Sequence, residues 1–544
     1  MSSVEVVLAM LLAVIASGYL VRMLPFAVPL PLVQISLGAI IEGVFQHGVT
    51  LDPDIFFLLF LPPLLFLDGW RIPKVGLLRD KGVILELALG LVVFTVIGAG
   101  YLIHWLVPAL PLPVAFALAA VVAPTDPVAL SSITARTPMP PRLLHILEGE
   151  ALLNDATGLV CFRFAVAAAI TGSFSLTGAS LTFVWVALAG IGAGVFVTRI
   201  ISLAQRWLSR RFGEESGSPI LVNLLTPFGA WLVAEHIGGS GILAAVAAGV
   251  TMSYVELEGR ALASTRVRRA AVWDTVQFAL NGIMFVLLGE QLPVIMAGAL
   301  SVVGPDASFG VWWLAGTALA ISGGLVLIRF VWVWVSLRLA LLTRRRDGLP
   351  ATRPGFRLVL ATSLAGVRGA ITMAGVLTLP LALPGGAPFP GRHLAIFLAS
   401  AVIIVSLVLA SVALPRLLRG LEVPEEPELD AQEAEARRQA AVAAIAAVEK
   451  SVPAQAGNSA DAELVAGAAD HLIGLYQHRM GRAAANVGEA ARVRAADQAE
   501  RALRLAALQA ERGVILRLTR EAAISDETGR KLLREIDLSE ARYR

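Results

Sequence analysis

Over the first 420 residues, apolar positions come in runs of about 20, separated by short polar turns. A run of that length is what an α-helix needs to cross the hydrocarbon core of a bilayer. Thirteen such segments are predicted, near 4–24, 29–46, 54–70, 82–107, 112–135, 142–171, 180–204, 219–237, 240–256, 270–290, 309–337, 357–380 and 393–415. After Arg419 the pattern changes. Residues 421–430 read as an acidic, Pro-punctuated linker, and 431–544 as a soluble helical tail rich in Ala, Glu and Arg. The tail carries helical spacings such as Leu472/Leu475/Tyr476 and Leu503/Leu508. Ser525, followed by Asp526 and Glu527, reads as a helix N-cap with acids in the first turn. The tail is either a solubilising or dimer-packing appendage or a regulatory module, and it holds no glycine-rich nucleotide-binding motif.

Composition turns this pattern into a class. Of 544 residues 57% are apolar and 16% charged, with mean hydropathy +0.75. That balance excludes a soluble globular protein and indicates an all-α polytopic membrane protein. The one cysteine, Cys161, excludes a disulfide framework and reads as a packing residue. The formal net charge of +3 says little, but the placement of charge says more. Arg22, then Arg71/Lys74/Arg79/Lys81, Arg136/Arg142, Arg206/Arg210/Arg211, Arg260/Arg266/Arg268/Arg269 and Arg344/Arg345/Arg346/Arg353/Arg357 fall in alternate loops, with Arg392 the exception. By the positive-inside rule the N-terminus is expected outside and the C-terminal tail in the cytoplasm. No basic stretch precedes the first apolar run, so it reads as a spanning helix and not a cleaved signal.

Against this background, charges inside spans stand out, because charge in hydrocarbon is costly and usually marks a path for ions or protons. In span five Pro124 and Pro127 bracket Thr125 and Asp126. Pro127 removes an N–H, and Pro124 drives Ala123 out of the α region, so this helix is expected to break. In span twelve Gly366 and Gly369 bracket Val367 and Arg368. Spans five and twelve are seven apart, as expected if spans 1–6 and 8–13 are inverted repeats joined by span seven. Paired interrupted helices of this kind point to a transporter's binding site. Asp126 can neutralise the positive helix ends freed in span five, and Arg368 the negative ends freed in span twelve. Direct ion ligation by either is the lesser option, carbonyl oxygens near Thr125 being better ligands.

Span six carries Glu148-Gly-Glu150-Ala-Leu-Leu-Asn154-Asp155. Asp155 lies about two turns into the helix. A desolvated carboxylate there can hold a proton or a cation, but not both comfortably, which is the core of proton-coupled exchange. Asn154 adds an amide that orients neighbours without charge. Glu150 has a natural partner in Arg329 of span eleven, giving a structural ion pair. Asp68, at the end of span three, either joins the ion pathway or is a boundary charge paired with Arg71 or Lys74.

These residues give the chain its resemblance to the monovalent cation:proton antiporter-1 family, the NhaP/NHE-type sodium/proton exchangers. It covers residues 1–420 and rests on Phe-Leu-Pro-Pro (60–63), Thr-Asp-Pro (125–127), Gly-Glu-x-Leu-Leu-Asn-Asp (149–155), Arg329 and Gly-Val-Arg-Gly-Ala-Ile (366–371). The resemblance implies NhaA/NhaP-like inverted repeats, with spans 1–3 and 8–10 as a dimerisation domain and spans 4–6 and 11–13 as a core that moves elevator-fashion. It implies a homodimer in the cell membrane that exchanges Na⁺, Li⁺ or K⁺ for H⁺ and serves pH homeostasis, with no cofactor and no nucleic acid. Asp155 takes the place of the ion-binding aspartate, Thr125 of the backbone-carbonyl ligand and Asn154 of the orienting Asn. Glu150 and Arg329 match the buried ion pair, Asp126 and Arg368 the crossover charges. An Asn before the Asp resembles the electroneutral, one-for-one members. Two departures bear on ion preference: Ala151 stands where many members have Ser, and Asp68 falls one residue after the family's span-three acid. They keep a K⁺-preferring antiporter open as an alternative. A cation channel or an organic-anion transporter on the same scaffold fits less well, because buried acids dominate. No nucleophile–base constellation or cofactor motif suggests an enzyme.

Overall fold

The computed structural model describes residues 3–24, 28–45, 53–71, 81–134, 139, 141–172, 176–213, 217–257, 263–303, 307–346, 355–383, 386–419, 427–456, 462–483, 487–521 and 523–541. Among them the regular structure is all helical, with one isolated bridge between Ala382 and Pro388. The chain forms two compact units, Met1–Val423 and Pro424–Arg544. Lys74, Arg79, Arg136, Arg260 and Arg353, used above for topology, lie outside the described residues, as do linker positions 421–426.

The first unit runs α1 (Ser3–Met23), α2 (Leu30–Phe45), α3 (Pro53–Arg71) and α4, which is Lys81–Leu85, a π-helical turn Glu86–Leu91, then Val92–Leu106. Next come α5 (Leu112–Val122), α6 (Pro127–Thr134), α7 (Pro141–Thr171), α8 (Leu176–Phe212), α9 (Ser218–His236), α10 (Gly241–Leu257) and α11 (Ala263–Val303). The unit closes with α12 (Ala307–Arg346), α13 (Phe356–Leu364), α14 (Ala370–Leu377) and α15 (Arg392–Leu418). Every segment predicted from the apolar pattern coincides with a helix, or with a pair of short helices at α5/α6 and α13/α14. Among the described residues six helices, α4, α7, α8, α11, α12 and α15, are long and apolar enough to cross a membrane, and α1, α2, α5 and α10 are shorter apolar helices.

Local chemistry explains the edges. Pro53, Pro127 and Pro141 stand first in α3, α6 and α7, where a missing N–H costs nothing. The helices α8, α11 and α12 span 37, 41 and 40 residues, well beyond their apolar cores. Hydropathy marks only the stretch that matches hydrocarbon, and the Arg, Gln and Leu residues flanking it are good helix formers. The π-turn in α4 left no trace in the periodicity; such turns are frequent near functional sites.

The helices pack in two groups. One holds α1–α3 and α8–α11, with α2 on α11, α3 on α10, and α8 on α10 as its main seams. The other holds α4–α7 and α12–α15, where α5 packs on α4 and α7, and α15 on α12, α13 and α14. In the first group backbones touch directly. A Cβ on Gly249 of α10 would overlap the Phe66 carbonyl of α3 and lie 2.9 Å from the Trp70 nitrogen. Close approach through small residues is how helices associate in lipid, where no hydrophobic force separates helix from tail. Gly249→Ala is therefore expected to cost about 1–3 kcal/mol, read as a lowered unfolding temperature of the detergent-solubilised protein.

The second unit is α16 (Pro427–Ala456), α17 (Ala462–Ala483), α18 (Val487–Arg520) and α19 (Asp526–Ala541). It forms two helix pairs, α16 on α17 and α18 on α19. Ser525 caps α19, its Oγ accepting the Thr528 N–H at 3.1 Å. Arg512 of α18 ties α19 down through Asp537 at 2.6 Å and through Glu540. On α16 the Arg438 guanidinium and the Gln439 amide hold the Glu435 carboxyl down to about 2. Leu472, Leu475 and Leu503, predicted from helical spacing, are on helices but exposed.

Candidate ion-binding site

The two breaks meet. The Asp126 N–H, between α5 and α6, donates to the Val367 carbonyl, between α13 and α14, at 2.7 Å. Four helix ends therefore converge on one region, two presenting N–H groups and two presenting carbonyls.

Asp126 serves the positive ends. Its Oδ1 accepts the Ala129 N–H of α6 at 3.2 Å. Its other oxygen lies where a Cβ on Gly369 would sit, and Gly369 is the N-cap of α14. Only a glycine lets the carboxylate approach α14 this closely. Arg368 serves the negative ends, and here the structure corrects the sequence reading, which gave it only those of its own span. Its Nε donates to the Val122 carbonyl ending α5 at 2.9 Å, and its Nη1 to Gly366 O. The last turn of α13 is shared with Arg329, whose Nε donates to Thr362 O at 3.2 Å. Ser406 of α15, which the sequence did not single out, accepts the Arg368 N–H at 3.1 Å. A lone Ser in an apolar span is a weak signal, and its partner is 38 residues away.

Glu150 and Arg329 form the expected pair. Nη1 meets Oε1 at 2.5 Å and Nη2 meets Oε2 at 2.7 Å, a bidentate fork joining α7 to α12. Their side chains are 1% and 4% exposed, so the pair is fully desolvated. One turn further along α7, Asn154 Nδ2 donates to Thr125 Oγ1 at 2.9 Å, tying α7 to the break after α5. Asn154 is wholly buried, and among the described residues its Oδ1 accepts no hydrogen bond. Asp155 follows, 4% exposed.

Asp68 is half-buried on α3, in the other group of helices. Arg71 pairs instead with Asp274, and with Gln277 at 2.8 Å, both on α11. Arg392, the exception to the charge alternation, donates through Nε to Leu379 O at 3.0 Å and through Nη2 to Leu377 O at 3.3 Å. It closes the C-terminal end of α14, a local use that loop counting could not anticipate.

An unfilled amide oxygen, a carboxylate and the carbonyls of a broken helix are hard oxygen donors, the set that replaces the hydration shell of an alkali cation. Crossed broken helices with buried acids beside them are the architecture of an ion-coupled secondary transporter. A family model for the transmembrane sodium/hydrogen exchanger matches residues 7–420, and the chain belongs to that family. It is 42% identical over 543 residues to the uncharacterized Na⁺/H⁺ exchanger YjcE of Escherichia coli (strain K12), covering 98% of each chain. It is 42% identical over 441 residues to the sodium, potassium, lithium and rubidium/H⁺ antiporter of Bacillus pumilus (strain SAFR-032), covering 80% of this chain and 64% of that protein. The sodium proton antiporter MjNhaP1 from Methanocaldococcus jannaschii shares the fold, with TM-score 0.58 over 78% of this chain and all of that one at 18% identity.

Proposed function

We propose that the protein is an electroneutral antiporter that moves one monovalent cation against one proton, both using Asp155 in turn. The observation that carries this reading is the pairing on α7 of a buried carboxylate with a buried amide oxygen that accepts no hydrogen bond among the described residues. A cation ligated there requires Asp155 ionised, and a protonated Asp155 no longer balances its charge. Because no second buried acid adjoins Asp155 on α7, where Asn154 stands instead, one charge enters for each that leaves. Thr125 and Asn154 fix the ligands, Asp126 and Arg368 neutralise the four helix ends, and the Glu150–Arg329 fork holds α7 to α12. Asp68 lies on the approach and keeps the path negative.

In this reading thirteen spans cross the cell membrane with the N-terminus outside and the tail in the cytoplasm. The α4–α7 and α12–α15 group is the moving core, and the α1–α3 and α9–α11 helices are the homodimer scaffold. Ala151, buried on α7, offers no hydroxyl to the cation. A site with one oxygen fewer discriminates less by size, so Na⁺, Li⁺ and K⁺ are all expected substrates, in keeping with the cation range in the name of the Bacillus relative.

Proteoliposomes loaded with a pH-sensitive dye test this. Adding Na⁺, Li⁺ or K⁺ outside should drive proton efflux that is unchanged when the membrane potential is clamped at different values. Flux that scales with the potential would contradict one-for-one exchange, and flux with no cation would contradict the assignment. Thr125→Val removes the acceptor of the Asn154 amide and leaves that buried donor unpaired. The apparent cation Michaelis constant should rise about tenfold, matching the 1–3 kcal/mol of a lost buried hydrogen bond, while Thr125→Ser stays close to native.

A further inference from the structure

Beyond Asp155, α7 continues through Leu159, one turn on, to Arg163, two turns on. There Arg163 Nη2 donates to Glu235 Oε1 at 3.1 Å, crossing from α7 to the last turn of α9. The same oxygen accepts the Gly241 N–H at 3.4 Å, so the carboxylate is seated at the N-terminal end of α10 after a turn through Gly238 at φ 70°. The two side chains are 52% and 39% exposed. They help line a cleft of about 500 Å³, together with Leu159, Phe162, Trp231, Thr378 and Leu58 of α3. Leu58 precedes Asp68 by ten residues, about 15 Å along a helix. The cleft therefore opens at the end of the bundle opposite Asp68, with Leu159 and Phe162 between it and Asp155.

Arg71–Asp274 and Arg269–Glu256 join members of the α1–α3 and α8–α11 group, and Arg329–Glu150 joins members of the other. Arg163–Glu235 crosses between them. Sliding of α7 past α9 beyond the reach of these two side chains breaks the 3.1 Å contact.

We propose that Arg163–Glu235 is a clasp that closes the cleft over Leu159 and Phe162, and that it opens and re-forms once in every transport cycle. The proposal rests on the reading that the two groups of helices move against each other. A half-exposed pair contributes little energy, so the clasp biases the two positions and does not lock them. Its loss shifts their balance about two- to fivefold.

The test uses Cys161→Ser, which removes the chain's one cysteine, with Arg163→Cys and Glu235→Cys added. A short bis-methanethiosulfonate joins both thiols as mixed disulfides, and a reductant releases it. Joining should lower cation-driven proton flux at least about tenfold, reductant should restore it, and either single-cysteine protein treated alike should keep its flux. Fully joined protein that exchanges at the unjoined rate overturns the clasp while leaving the antiport reading in place. Unjoined and native protein that exchange no cation for a proton overturn both. Charge reversal gives an independent reading. Arg163→Glu and Glu235→Arg should each change the apparent cation constant about two- to fivefold, and the double swap should return it to native. A double swap no better than the singles overturns the proposal.

Discussion

Asp155→Asn is expected to abolish cation-driven proton flux, by at least about a hundredfold, while the protein folds and inserts normally. The substitution keeps size and hydrogen-bonding capacity but removes the one charge that both substrates are proposed to use. An amide neither releases a proton in the working range nor balances a cation in a low-dielectric site. Asp155 is 4% exposed, so the substitution also removes the cost of burying a carboxylate. The variant should thus unfold at a temperature no lower than native. Asp126→Asn and Asp68→Asn should both leave measurable flux, since the first neutralises helix ends and the second lines the approach. Flux that survives Asp155→Asn and disappears in Asp68→Asn would move the site to α3.

The second large effect belongs to the Glu150–Arg329 fork. Arg329→Met strands a carboxylate that is 1% exposed, and Glu150→Leu strands a guanidinium that is 4% exposed. Each single change is expected to lower stability by about 3–5 kcal/mol, and Arg329→Met also uncovers the last turn of α13 by removing the bond to Thr362 O. The double variant, with no buried charge left, should recover most of the loss, because a well-packed apolar pair often replaces a buried ion pair at little cost. Thermal unfolding of all four proteins in detergent measures the cycle. A double variant as unstable as the sum of the singles would show that the fork acts through separate partners. Transport distinguishes stability from function here: the double variant should recover stability more than flux, since Arg329 also fixes the end of a broken helix.

Much of this was legible from local chemistry. Apolar runs of span length located the helices, because hydrocarbon thickness is a strict ruler. Pro124, Pro127, Gly366 and Gly369 marked both breaks, since proline and glycine act on their own backbone. Glu150 and Arg329 could be matched across 179 residues because buried charges must find opposite partners. What was not legible depends on how helices lie across one another. Arg368 reaching Val122 O and Arg329 reaching Thr362 O follow from the crossing of two broken helices, which no periodicity encodes. The same holds for Arg392 closing α14 and for Arg163, inside α7, meeting Glu235.

The central claim is that cation and proton compete for one carboxylate, and the pH dependence of the apparent cation Michaelis constant in proteoliposomes tests it most directly. With the interior pH held fixed, competition at the outer face leaves the maximal rate at saturating external cation the same at every external pH. The apparent constant rises as pH falls, approaching about tenfold per unit once Asp155 is mostly protonated. An apparent constant that stays flat while the maximal rate falls with acid would contradict the account, because the proton would then act at a group the cation never occupies.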